Sequence, residues 1–311
     1  MVDLKQITEQ NSTLKEGPKR PVGVFIGGTN GIGRATAYEF AKNTVDPTVY
    51  VVGRNASAGE SLIEQLKEVN GSKNAKYYFL KHDVSSIKEC DKLCSVIRGQ
   101  EKQVNLLFVS SGILSVSKRS ETEEGIEKRM AVNYYGRWRI IDQLMPLVQR
   151  AAGKQEFARV VSVLSPGHEG KLILDDLDLK DNYSFMKMYK HISTFNSLAV
   201  LRFSQLHPNV SFIHLYPGFV GGTEISRNLP SVLASALRFL ERFAAQPLDD
   251  FGKQCLYLGA SSKEYAKGSF LIDEKFKDLK QPAVQKGFLA PELQESVWKH
   301  TQQVYQSVIG K

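Results

Sequence analysis

Short apolar runs of four to six residues recur along this chain with helix-length amphipathic stretches between them, and that alternation restricts its fold more than any other feature. Val22–Ile26, Thr48–Val52, Tyr77–Leu80, Leu106–Ser110, Arg159–Val163 and Val210–Leu215 read as strands, with a seventh at Ser269–Ile272. The runs are nearly continuous rather than alternating, as strands covered on both faces are. Stretches such as Arg34–Asn43 and Ala58–Val69 supply helices between them. Strand–helix–strand repetition at this spacing predicts an α/β fold, with helices on both sides of a doubly wound parallel sheet of about seven strands and right-handed crossovers. No internal repeat and no linker rich in Pro, Gly or Ser divides the chain. Residues 20–311 are therefore expected to form one domain, and the polar residues 1–19, which end in a Gly17-Pro18 break, an arm laid on its surface.

Composition removes several function classes. The formal net charge is +8, but 41 basic residues are interspersed with 33 acidic ones, without the dense basic run or aromatic motif of a nucleic-acid binder. A mild positive field suits a phosphate-rich ligand equally well. No apolar run reaches the roughly 20 residues of a membrane span, and the amino end lacks a secretory leader's apolar stretch. Three cysteines, two of them (Cys90 and Cys94) one helical turn apart, with no His nearby, argue against a disulfide scaffold or zinc set and make the cytosol the default compartment.

The first strand runs into Gly27-Gly28-Thr29-Asn30-Gly31-Ile32-Gly33, and a helix opens at once. Glycines there let the backbone turn sharply and approach a pyrophosphate, while the helix amino end offers free N–H groups and a positive dipole. The strand–turn–helix setting is the one that dinucleotide binding requires. The spacing Gly-x-x-x-Gly-x-Gly resembles the short-chain dehydrogenase/reductase family, although Ile26 stands where that family usually has Thr. The resemblance implies a Rossmann-type fold, a nicotinamide cofactor, and cofactor contacts from Gly27, Thr29, Asn30, Gly31, Ile32 and Gly33.

At the end of the second strand, Val51-Val52-Gly53-Arg54-Asn55 lacks the acid that takes ribose hydroxyls in NAD binders. A carboxylate would repel a 2′-phosphate, whereas the Arg54 guanidinium can pair with one, so NADP(H) is the expected cofactor. The competing reading makes Arg54 a solvated strand-end arginine. Asp83-Val84 resembles the family's adenine-contacting pair, or else Asp83 caps a turn. Ser111-Gly112 occupies the segment that the family writes Asn-Asn-Ala-Gly, here Val109-Ser110-Ser111-Gly112, without the asparagines.

Asn182-Tyr183-Ser184-Phe185-Met186-Lys187 reads as the start of a helix running to about Phe203, which would put Tyr183 and Lys187 on one face. A neighbouring ammonium lowers a phenol's pKa and makes it a usable proton relay. Tyr-x-x-x-Lys is common by chance, but Ser165 at the end of the fifth strand resembles the family's catalytic serine, and Asn133 its catalytic asparagine. The resemblance then implies that Tyr183 donates the proton, Lys187 tunes it and grips the nicotinamide ribose, Ser165 orients a carbonyl and Asn133 supports a water chain. Tyr216-Pro217-Gly218-Phe219-Val220 matches the family's Pro-Gly turn, so Pro217, Gly218, Val220 and Thr223 are expected at the nicotinamide.

Two departures stand out. The 18-residue gap from Ser165 to Tyr183 exceeds the usual dozen or so and carries the acidic Asp175-Asp176-Leu177-Asp178, read as a solvated loop rather than metal ligands. Beyond Gly218 the chain resembles the divergent fungal members often found in secondary-metabolite pathways. A helical stretch with Val232, Leu233, Ala236, Leu237, Leu240 and Ala244 on one face, within 223–247, is expected to cover an apolar substrate or simply to pack on the sheet. The leading expectation is interconversion of a ketone and a secondary alcohol with NADP(H). A non-redox isomerase, dehydratase or cyclase on the same scaffold is the alternative, and a homodimer or homotetramer the family's usual assembly.

Overall fold

The computed structural model describes residues 3–223 and 245–310. Seven parallel strands, β1 (Val22–Ile26), β2 (Thr48–Gly53), β3 (Lys76–Lys81), β4 (Leu106–Val109), β5 (Arg159–Val163), β6 (Ser211–Leu215) and β7 (Gly268–Ile272), form one sheet in the order β3-β2-β1-β4-β5-β6-β7. Val24 stands opposite both Tyr50 of β2 and Leu107 of β4, so the winding reverses between β1 and β4. The crevice of a doubly wound sheet opens there, beyond the carboxyl ends of β1 and β4.

Helices α1 (Leu4–Ser12), α2 (Gly31–Asn43), α3 (Ala56–Asn70) and α7 (Leu248–Leu256) cover one face, where Phe25, Phe40, Val51, Leu106 and Ile213 form the core. On the other face lie α4 (Ile87–Gln100), α5 (Gly136–Gly153), α6 (Phe185–Leu206) and α9 (Pro291–Ile309), around Tyr50, Trp138, Phe195 and Phe203. A short helix α8 (Lys280–Gln285) precedes α9. The six expected strands and the seventh fall within a residue or so of these bounds. The amino-terminal arm is largely helical and docked: Ile7 is wholly buried, and Asn11 donates to the Lys253 carbonyl at 2.9 Å. No helix among the described residues is long and apolar enough to cross a membrane. The apolar face of 223–247 lies, apart from that segment's two ends, outside the described residues.

The acidic stretch is put to local use. Asp176 accepts backbone N–H groups from Lys180, Asp181 and Asn182, turning the chain toward α6. Asp178 reaches the carboxy-terminal helix: its Oδ1 lies 2.8 Å from His300 Nε2 and accepts the Tyr135 hydroxyl at 2.9 Å. Desolvation alone would push the Asp178 carboxyl up, but His300 and Tyr135 outweigh it and hold it below the usual range. A group depressed in this way stabilises the fold above its unfolded pKa of about 3.9 and loses that contribution as pH falls through its lower folded value. Asp178→Asn is expected to lower unfolding free energy by about 1 kcal/mol at neutral pH, discounted for partial exposure. Urea denaturation should show the gap to the parent closing as pH drops below about 4. A gap that stays constant into acid would contradict the latch.

Candidate active site

A cavity of about 510 Å³ fills the crevice. At its floor β1 runs into Gly27, whose φ of +80° and 2.5 Å approach of a notional Cβ to the Ser111 nitrogen leave no place for a side chain. Gly33, in the first turn of α2, packs so closely on Ser110 that a Cβ would lie 2.5 Å from its Oγ. These two contacts bring the loops after β1 and β4 together and present the α2 amino end, with Asn30 as its cap, to the cavity. Backbone N–H groups at such a site suit a pyrophosphate.

Thr29, Asn30, Gly31, Ile32, Arg54, Asp83 and Val84 line the cavity beside Gly27, as do Ser111, Gly112, Pro217, Gly218, Val220 and Thr223. Gly33 acts through packing, one layer beneath. Asp83 Oδ1 accepts the Ser85 N–H at 3.0 Å, so its turn-capping role is real, and the same residue faces the cavity. A polar annex of about 370 Å³ opens beside it, lined by Thr29, Asn30, Arg34, Arg54, Asn55 and Ser61 among others. Arg54 stays about two-thirds exposed, 3.6 Å from Asp83, and Arg34 is held by Gln65 at 2.6 Å. Two guanidinium groups thus flank a pocket of anion size. Arg34 and Ser61 were legible only as helix residues, because their convergence depends on how α2 and α3 cross.

Toward the other end the lining turns apolar, with Ile113, Leu114, Val132, Leu164, Phe185, Met188 and Ile192. Ser165, nearly buried, sits there with its Oγ 2.5 Å from the Ser193 hydroxyl. Tyr189 lines the same wall. Burial raises its phenol pKa, and the neighbouring Ser165 side chain works against that rise. Tyr189 and Ser193 lie one turn apart on α6. Asn133 belongs to a π-helical turn, Ala131–Tyr135, ahead of α5. Its amide is used up on Ile113, accepting from the N–H and donating to the carbonyl at 2.9 Å each, while its own carbonyl accepts from Asn196 at 3.0 Å.

Tyr183 and Lys187 are not brought to this wall. Ser184 caps α6 by accepting the Lys187 N–H, so Tyr183 lies in extended chain before the helix, and the i, i+4 relation does not apply to it. Its phenol points to the Ser117 carbonyl at 3.4 Å and its ring faces the Arg129 guanidinium, 5.2 Å from the centroid. Arg129 itself clasps the carbonyls of Ser115, Ser117 and Lys118, which shapes the loop after β4. Lys187 is exposed, and neither residue lines the cavity. The signal for Tyr189 was present in the phase of α6: Tyr189, Ser193, Asn196 and Ser197 recur at helical spacing along one side of it.

A family model for short chain dehydrogenases matches residues 22–172. Oxidoreductase AN1596 of Emericella nidulans is 36% identical over 77% of this chain and 70% of its own length. Oxidoreductase andH of Emericella variicolor is 29% identical over 100% of this chain and 98% of its own. Among solved structures, the RhlG/NADP active-site complex of Pseudomonas aeruginosa superposes with a TM-score of 0.62, covering 85% of this chain and 98% of that one. At 17% identity that last match speaks for the fold alone. The chain belongs to the short-chain dehydrogenase/reductase family.

As a short-chain dehydrogenase/reductase it is divergent, of the fungal type, and the departures can be located. The segment after β4 lacks the family's asparagines, and a buried arginine is bonded to it. Arg137, fully buried at the start of α5, donates to the carbonyls of Val109 (3.2 Å), Val163 (2.9 Å) and Ser111 (2.6 Å) and to the Ser162 hydroxyl (2.7 Å). None of its hydrogen-bond partners is a carboxylate, and burial pulls its pKa down to about 9. Removing the group relieves that desolvation but deprives three carbonyls and a hydroxyl of a donor, at about 1–3 kcal/mol for each left unsatisfied, so the second effect should win. Arg137→Met is expected to cost roughly 2–4 kcal/mol in urea denaturation, and Arg137→Lys less. A Met variant as stable as the parent would show that these carbonyls find other donors.

Proposed function

We propose that this chain is an NADPH-dependent reductase that converts a ketone to a secondary alcohol on an apolar small molecule, with Tyr189 as proton donor. The observation that carries this reading is that Ser165 and Tyr189 line one cavity whose glycine turn and helix amino end form a phosphate cradle. The glycine turn and the α2 amino end would hold the pyrophosphate, Arg54 and Arg34 the 2′-phosphate, and the Pro217-Gly218 turn the nicotinamide. NADPH bound there would supply the hydride. Ser165 would donate a hydrogen bond to the substrate oxygen, and Tyr189 would pass its proton to that oxygen as negative charge builds on it.

Ser193 stands one turn beyond Tyr189, where the family's spacing would put the lysine ammonium. A raised phenol pKa keeps the proton on Tyr189 at neutral pH, which suits an acid and handicaps a base. The site therefore favours reduction over alcohol oxidation. The same missing ammonium is the specific observation in favour of a non-redox isomerase, dehydratase or cyclase, since such a catalyst would need the pocket but not the relay. An apolar carbonyl or alcohol fits the wall from Ile113 to Ile192, where no charged side chain is exposed among the described lining residues. Three buried free cysteines and the absence of a spanning helix among the described residues accord with a cytosolic setting. α9 lies across α6 and α4, so a homodimer or homotetramer would have to form elsewhere than on those covered surfaces.

Tyr189→Phe is expected to lower turnover by about 10²- to 10⁴-fold while leaving NADPH binding nearly unchanged, and Tyr183→Phe to leave turnover close to that of the parent. NADPH absorbance must fall one-for-one with alcohol formed. Product accumulating at constant NADPH would replace the reductase by the non-redox alternative.

Cofactor choice rests on the two arginines. NADPH should bind more than about tenfold tighter than NADH, roughly 1.4 kcal/mol, and Arg54→Asp should erase the difference in a fluorescence titration. Equal affinities in the parent would remove NADP from the reading.

A further inference from the structure

The long loop after Ser165 sends one of its acids inward. Glu169 is 9% exposed; its Oε1 accepts the Ser197 hydroxyl at 2.6 Å and its Oε2 accepts the Gly167 N–H at 2.9 Å. The Ser197 oxygen lies 2.9 Å from His214 Nδ1, and His214 Nε2 accepts the backbone N–H of Ser165 at 3.2 Å. Ser197 and His214 are wholly buried, on α6 and β6.

The direction of every bond in this chain follows from one end. A backbone N–H can only donate, so Nε2 must be bare and the imidazole proton must sit on Nδ1. Nδ1–H then donates to Ser197, and Ser197 spends its own proton on Glu169. An acid, a histidine and a serine in series suggest a hydrolase triad, but the geometry is wrong for one. His214 meets the amide of Ser165 and not its Oγ, which is engaged with Ser193.

We propose that His214, backed by Ser197 and Glu169, is a positioning residue that fixes the backbone of Ser165 and so aims its hydroxyl at the substrate oxygen. This rests on the role given to Ser165 above. The arrangement needs a neutral imidazole, and its surroundings enforce one: burial first, then the nearby Arg137 guanidinium, push His214 well below the ordinary histidine range. Protonation would turn Nε2–H against the Ser165 N–H and release the loop. A displacement of about 1 Å at a reacting group costs on the order of 10²-fold in rate.

The test uses the full chain with NADPH and acetophenone as the apolar ketone probe, in His214→Phe, His214→Gln and Ser197→Ala. Phe keeps the ring but leaves the Ser165 N–H and Ser197 unanswered, whereas Gln offers an oxygen to one and an amide to the other. Expected are a fall in kcat of about 10²-fold for Phe, partial recovery in Gln, a smaller fall for Ser197→Ala, and an unchanged KM for NADPH in all. Nitrogen-15 NMR of the parent should show His214 bare at Nε2 and protonated at Nδ1 at neutral pH. That readout needs no turnover, so it separates the failures: an inactive parent with this tautomer sinks the reductase reading and leaves the hydrogen-bonded chain standing. A doubly protonated or Nε2–H imidazole overturns the proposal, as does an unchanged kcat in Ser197→Ala. If His214→Phe does not fold, Ser197→Ala and the tautomer decide.

Discussion

A positive charge with no carboxylate partner among the described residues holds the loops after β4 and β5 in place. Arg137 enters the sheet at the carboxyl ends of β4 and β5 and answers three carbonyls and a hydroxyl there. Burying a guanidinium without a carboxylate is costly, and the same burial lowers its pKa. The cost is tolerated because the alternative is worse: strand ends that diverge to form a crevice leave carbonyls with no neighbour to bond. Ser111 on one side is bonded to this residue directly, and Ser165 on the other follows two residues after Val163, whose carbonyl it also holds. The glycine turn depends on it too, since Gly27 packs on the backbone of Ser111.

Most of the architecture was legible because it follows from burial. A parallel strand covered on both faces has to be apolar throughout, and such runs mark themselves. The glycine turn was legible for a similar reason, as its close contacts permit no other residue. Ser165, Asn133 and Arg54, each near the end of a strand or the start of a helix, all line the cavity. Tyr183 does not. Its apparent pairing with Lys187 presumes a helix that already includes both, and one capping serine, Ser184, moves the helix start past it. A polar residue three positions before Lys187 was the available warning, since serine at a helix start accepts an N–H in just this manner. The buried Arg137 left no signal in the sequence, where it reads as one more basic residue in a helix rich in them.

The long loop between Ser165 and α6 explains why α6 looks unusual for a core helix. His191, Ser193, Thr194, Asn196 and Ser197 are all buried, a polar stripe where packing alone would favour leucine. Each of these side chains has a partner. Thr194 exchanges hydrogen bonds with Gly170, and His191 accepts the Ile173 N–H at 3.1 Å. Asn196 bonds the Asn133 carbonyl, and Ser197 meets Glu169. The stripe is therefore the mould on which the loop is cast, and the same helix turns Tyr189 toward Ser165. Loop shape and site geometry are consequences of one set of hydrogen bonds.

That coupling bears on the missing ammonium. A lysine at 193 would have to carry its charge out of a position that is wholly buried and already bonded to Ser165. Serine fits there because it needs only one short hydroxyl contact, and it leaves Tyr189 in surroundings that hold its proton. The mould that fixes the stretched loop thus also decides which residue can stand beside the phenol. With Tyr189 as the proposed proton donor, a site assembled this way would give up the low phenol pKa that alcohol oxidation needs and keep the proton that carbonyl reduction spends.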